Sequence, residues 1–238
     1  MAAPVVAGTA ALIRQYFEEG WYPLGKPTPA NKMKPSAALV KAILINGGQF
    51  LLGIQNGNEI KDISPYDNNQ GFGRISMINS LPLAEKNHFN MKIFDRADIR
   101  DGFIHKYTLT VDSRNGCDIS ELSITLVWAD PPALSNCKKC LLNDLDLFAV
   151  KNGTEFSHFP NGRLNRDNTN NSERIRLSVE DGDTFFVYVH AINLETASQK
   201  YSLAMSGCLS DDLKFVSTSP ILSAPDNPLI PLSTDTRK

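Results

Sequence analysis

The chain has almost no net charge: 24 Lys and Arg stand against 26 Asp and Glu, leaving −2 over 238 residues. That balance excludes the basic footprint with which proteins neutralise nucleic-acid phosphates, and it leaves no pull toward an anionic membrane surface. Long apolar runs are also missing. No stretch approaches the roughly 18 consecutive apolar residues that span a bilayer, so no membrane span is expected. The amino terminus lacks the charged-then-apolar pattern of a secretory signal, so a secreted parent protein would carry its signal upstream of Met1. No solenoid-type repeat recurs. What is present, 42% hydrophobic residues, is enough apolar material for one or two cores.

Two helices are expected in residues 1–85. Pro4 suits the first turn of a helix, where its missing N–H would have no partner anyway, and behind it Val6, Ala10, Ile13 and Phe17 recur at the spacing of a core-facing stripe. This helix runs from about Pro4 to Glu19 and stops at Gly20 and the Pro23/Gly25/Pro27 stretch. A second helix, from about Ser36 to Asn46, ends at Gly47-Gly48 and has Ser36 placed as a cap. Beyond residue 85 the period changes to two. The runs 105–111, 122–128, 144–150, 174–179, 184–190 and 200–205 are rich in β-branched and aromatic residues and bounded by Asn, Asp, Gly and Pro, which predicts an all-β sandwich or jelly roll. Residues 209–238, rich in Ser, Pro, Asp and Thr, read as a flexible tail.

The segment Met1-Ala2-Ala3-Pro4-Val5-Val6-Ala7-Gly8 resembles the second half of the nucleophile motif of subtilisin-like serine proteases, Gly-Thr-Ser-Met-Ala-(Ala/Thr)-Pro-x-Val-(Ala/Ser)-Gly. Two further segments resemble the same family in its own order: Pro35 to Gly48, like the segment after the nucleophile helix, and Asn69 to Ser80, like the turn and short helix that close the catalytic domain. The segments 126–132, 142–147 and 170–175 resemble the β-domain that follows the catalytic domain in convertase-like and alkaline-protease-like members. The resemblance implies an α + β chain, with residues 1–85 a helical remnant of an α/β catalytic domain, residues 86–208 a β-sandwich and residues 209–238 a tail. It implies a parent enzyme that hydrolyses polypeptide substrates with a Ser-His-Asp triad. All three triad groups and the oxyanion Asn would precede Met1, so no catalytic residue is expected in this chain and it should be inactive without the upstream part of its catalytic domain. Met1 and Pro4 are what would survive of the active-site shell. His88, His105, His158 and His190 match no family base and read as surface or sandwich residues. The alternative is a non-catalytic β-sandwich that binds a partner.

Three further groups of residues stand out. Period two puts Asp144 and Asp146 on one face of a strand, and two parallel carboxylates repel. Calcium would resolve this if Asn143, Asp130 or the Asn-rich loop 165–171 reached over; Arg163, Arg166 or Arg174 would do so without a metal. The four cysteines, Cys117, Cys137, Cys140 and Cys208, are an even set, and Cys137–Cys140 closing a local loop with Cys117–Cys208 tying the first and last strands is the preferred pairing. Half a zinc site and a redox motif at Cys137-Lys138-Lys139-Cys140 are the rival readings. Asn152-Gly153-Thr154 and Asn170-Asn171-Ser172 are glycosylation acceptors in a eukaryotic secretory path, so the expected location is outside the cell or in the secretory lumen.

Overall fold

Helix α1 (Ala2–Glu18) buries Ile13, Tyr16 and Phe17 and ends at Gly20, whose φ of +79° suits a residue without a Cβ. The structure is a computed structural model that describes residues 2–220 apart from 58, 115, 118 and 213; Met1 lies outside the described residues, as do 221–238. Helix α2 (Ala37–Asn46) is N-capped by Ser36, whose Oγ accepts from the Leu39 N–H at 3.0 Å. Gly47 follows because nothing larger fits: a Cβ there would lie 2.1 Å from Ser80 Oγ, at the end of the short helix α3 (Met77–Ser80). Between α2 and α3 a solvent-exposed hairpin, β1 (Gly53–Asn56) and β2 (Glu59–Asp62), projects from the body.

The rest of the described chain is two antiparallel sheets. Strands β3 (Asn90–Arg100), β10 (Ser198–Gly207), β5 (Glu121–Trp128) and β8 (Ser172–Ser178) form one, in that order. Strands β11 (Lys214–Pro220), β4 (Phe103–Thr110), β9 (Thr184–Leu194), β6 (Asn143–Lys151) and β7 (Ser157–His158) form the other. Their facing side chains, among them Trp128, Leu126, Leu203, Leu145, Leu147 and Val189, make the main core. The chain is therefore mostly sheet with few helices, a β-sandwich.

Helix α2 packs on the outer face of the four-stranded sheet. Leu39, Ile43 and Phe17 share a cluster with Val127 of β5 and Ala204 of β10. Polar contacts fix the register: Thr125 Oγ1 donates to Asn46 Oδ1 at 2.9 Å, and Asn46 Nδ2 donates to Ser206 Oγ at 2.7 Å. At the other end of α2, a bulge in β3 sets Asp95 and Arg96 against the single residue Ser202. The bulge turns the Asp95 carboxylate to the N-terminus of α2, where it accepts from the Ser36 N–H at 3.0 Å and from the hydroxyls of Ser36 and Ser202.

Five strands lie outside the expected runs: the hairpin β1–β2 in the segment read as helices and loops, the two-residue β7, and the longer β3 and β11. Strand β3 is absent from the predicted set because its bulge breaks the alternation: Met91 and Ile93 face the helices, whereas Phe94, Ala97 and Ile99 face the sandwich core. Strand β11 falls inside the expected tail; it pairs with β4 along a polar edge, where little apolar patterning is needed.

Candidate functional site

The acidic strand is where buried ionisable groups converge. Asp144 and Asp146 project from the same face of β6, and Asp146 pairs directly across the ladder with His190 of β9. The loop between β7 and β8 folds over this face. Its Asp167 is fully buried and organises the turn, accepting from the Thr169 N–H and from the side-chain amides of Asn161 and Asn170. That turn delivers Arg166 to Asp146, with N···O at 2.7 Å, and Arg163 to Asp167 at 3.2 Å. Lys139, from the loop before β6, reaches Asp144 at 3.3 Å.

A third carboxylate arrives from the other sheet. Glu173 of β8 is fully buried, and its Oε2 accepts from the Leu147 N–H of β6. It thereby satisfies an edge N–H next to where β7 stops pairing. Its other oxygen has no hydrogen-bond partner among the described residues, and the same is true of Asp144 Oδ1, Asp146 Oδ1 and both ring nitrogens of His190. The His190 ring stands edge-on to Phe148, centroids 4.5 Å apart.

The electrostatics follow from this burial. Removal from water pushes the Asp146 carboxyl up to about 6, which Arg166 only partly offsets, and it raises Glu173 well above the usual carboxylate range. Asp144 is raised for the same reason, with Lys139 opposing. Burial holds His190 neutral, its pKa down at about 3. Three carboxylates, Asp144, Asp146 and Glu173, face two cations, Lys139 and Arg166, fewer than their full ionisation needs.

Because the folded state binds the Asp146 proton more tightly than the unfolded chain, its contribution is largest at low pH. It is lost as pH rises from about 4 through about 6. The unfolding free energy of the native protein relative to Asp146→Asn is therefore expected to be larger at pH 4 than at pH 7, by about 2 kcal/mol. Chemical denaturation of both proteins at the two pH values measures it; a difference of the opposite sign would mean that Arg166 keeps the carboxylate ionised.

Sequence reasoning paired Asp144 with Asp146 and offered Arg163, Arg166 or Arg174 as counter-charge; only Arg166 reaches the pair. Arg174 points to the opposite side of the four-stranded sheet, toward α2. Asn143, grouped with the two aspartates as a calcium ligand, lies on the other face of β6. Its Oδ1 accepts from the Glu195 and Thr196 N–H groups, and its Nδ2 donates to Gln199 Oε1. Asp130 caps the start of β6 through the Leu142 and Asn143 N–H groups. With Arg166 seated against Asp146, these residues do not make one donor set, and among the described residues no group of three or more His, Cys, Asp or Glu side chains is placed to hold a metal ion. Glu173 and His190 were not placed with Asp146 in the sequence reading because packing of the opposite sheet brings the first there and strand pairing the second.

The other sequence-predicted residues sit apart. Pro4 lies in the first turn of α1, on a solvent-exposed stretch from Ala2 to Gly8, and Met1 lies outside the described residues. Cys117 is bonded to Cys208 and Cys137 to Cys140. Asn152 and Asn170 are exposed, the latter donating to Asp167 at 2.8 Å. Of the histidines, His105 and His190 are buried in the sandwich, His158 is half-buried and His88 is exposed.

The chain is similar to serine protease/ABC transporter B family proteins of Dictyostelium discoideum. It is 28% identical to tagA over 219 residues, 24% identical to tagD over 251 and 26% identical to tagB over 248. Each alignment takes in 86–87% of this chain but only 12–14% of the relative, so the chain spans about an eighth of the length of these proteins. No family model matches the chain. Among solved structures, the periplasmic g-type lysozyme inhibitor of Aeromonas hydrophila aligns with 55% of this chain and 93% of its own, at 12% identity and a TM-score of 0.26, too low to bear on the fold. Among the described residues no helix is long and apolar enough to cross a membrane.

Proposed function

We propose that this chain is the C-terminal part of a secreted subtilisin-like serine endopeptidase: the last helices of its catalytic domain, followed by a β-sandwich that braces them. The observation that carries the reading is the state of α1. Its second half is anchored by Ile13, Tyr16 and Phe17, whereas its first two turns, which carry the Ala-Ala-Pro-x-Val-Ala-Gly sequence, stand in solvent. Val5 is 62% exposed and Leu12 53%, and a Cβ on Gly8 would meet nothing within 4 Å. Apolar and small residues on one projecting helix are suited to a packing partner, and the rest of a catalytic domain would supply it.

In the intact enzyme the catalytic serine would sit at the N-terminal end of α1. There the helix dipole and free N–H groups favour the negative charge that develops on the scissile carbonyl oxygen. The Ser-His-Asp triad upstream would break the peptide bond. This chain would contribute the helix that mounts the nucleophile, held by α2 and the sheet beneath it. The serine protease part of the relatives' names, and their much greater length, support the reading.

Mass spectrometry of the native protein tests it through the tryptic peptide ending at Arg14. The expected peptide extends upstream of Met1 through Gly-Thr-Ser, and that serine is expected to take a fluorophosphonate label. A peptide beginning at Met1 or at an acetylated Ala2, with no longer form at comparable depth, would leave a binding module instead.

A further inference from the structure

We propose that Cys137–Cys140 is a redox-responsive site, opened by a dithiol reductant while Cys117–Cys208 stays closed. The proposal does not depend on the protease reading. The two disulfides sit in opposite surroundings. Cys208 is buried at the end of β10, and its bond to Cys117 spans 91 residues of chain. Cys140 is exposed and Cys137 half-exposed, three residues apart in the irregular loop that joins β5 to β6. A bond that closes so short a loop constrains the unfolded chain little, so the fold contributes little to keeping it oxidised. Exposed disulfides are also the ones that a thiolate can reach.

Of the two flanking charges, the Lys139 ammonium is engaged by Asp144 at 3.3 Å, which leaves that of Lys138 to favour the reaction. Lys138 and Lys139 lie between the two sulfurs in sequence, and both are exposed. An ammonium group near a sulfur lowers the thiol pKa and so improves it as a leaving group. The reductant's first thiolate attacks Sγ of Cys140, forming a mixed disulfide and expelling the Cys137 thiolate. Its second thiolate then attacks its own sulfur in the mixed disulfide and releases the Cys140 thiolate. The reductant leaves as a cyclic disulfide, and two electrons have entered the protein. Each cysteine thiolate takes up a proton from solvent according to its pKa. Lys139, freed from the closed loop, is no longer held over Asp144, where its Nζ lies 3.3 Å from the carboxylate. Reduction in this loop thereby reaches the buried carboxylates of β6.

The test uses the folded protein in dithiothreitol buffers of graded reduced-to-oxidised ratio, with alkylation and peptide mapping of each cysteine. Cys137 and Cys140 are expected to alkylate together, reversibly and without unfolding, at ratios that leave Cys117 and Cys208 unlabelled. Dithiothreitol at neutral pH should open the first bond at least about tenfold faster than the second. Replacing both lysines, Lys138→Ala with Lys139→Ala, is expected to slow opening several-fold while leaving the Cys117–Cys208 rate unchanged. Opening of both bonds together, labelling only on unfolding, or a Cys137–Cys140 bond that stays closed in fully reduced dithiothreitol would each overturn the proposal. Because the lysine variant keeps both cysteines, a failure to fold in a cysteine variant does not bear on the result.

Discussion

Exchange of Arg174 for alanine is expected to lower the unfolding free energy by about 2–4 kcal/mol, through lost buried hydrogen bonds and an emptied site. Arg174 lies on β8, 0% exposed, on the face of the sheet that meets α2. Its guanidinium donates to the carbonyls of Asn46 at 3.0 Å, Gly48 at 2.9 Å and Phe72 at 3.2 Å. Asn46 is the last residue of α2, so a cation here meets both a terminal carbonyl, which it shares with Ser123 Oγ, and the negative end of the helix dipole. The Phe50 ring packs against the same group, 5.3 Å from Cζ to centroid. Truncation would empty a water-poor space and remove the Arg174 donor from the Phe72 carbonyl, while the Asn46 and Gly48 carbonyls keep Ser123 Oγ at 3.0 Å and Arg176 Nη1 at 3.3 Å, so the polar link between the helical segment and the sandwich is weakened. Arg174→Lys would restore only part of the loss, since one ammonium cannot span the fork. Urea denaturation measures the effect, and a loss below about 1 kcal/mol would show that water replaces the guanidinium readily.

Removal of the Cys117–Cys208 bond is expected to cost at least as much. Alanine at both positions avoids burying a hydroxyl at residue 208. For a loop closed across 91 residues, chain entropy alone predicts a loss of about 4–5 kcal/mol, or roughly 10–15 °C in melting temperature. The same relation predicts about 2 kcal/mol for alanine at Cys137 and Cys140, because the closed loop is so short. Thermal melts of the two double variants therefore separate a bond that holds the sandwich from one that does not. Equal shifts would mean that the long-range bond constrains an unfolded chain that is already compact.

Local pattern carried much of this molecule. The stripe Ile13–Phe17, the Ser36 cap, the Gly47-Gly48 stop and six alternating runs are short-range signals, and each corresponds to an element of the structure. Where a strand changes face part-way, as β3 does at Asp95–Arg96, the alternating pattern cancels itself and no signal survives. The buried cluster shows the same limit. Asp144 and Asp146 are two residues apart and were legible as a pair. Glu173 comes from the opposite sheet, and His190 through a ladder pairing with a residue 44 positions earlier, so no window of sequence contains the site. Asn143 shows the reverse error, since adjacency in sequence put it with Asp144 although a strand sends neighbours to opposite faces.

The seat of α2 also sets a timetable for biosynthesis. The helix ends at Asn46, but one of the two strands it rests on, β10, is complete only at Gly207. At about 5–20 residues per second, a ribosome takes roughly 10–30 s to supply the missing strand. Throughout that interval the apolar side of α2 has no sheet to cover it. A nascent chain halted between these points is expected to recruit chaperones, and one released after Gly207 is not.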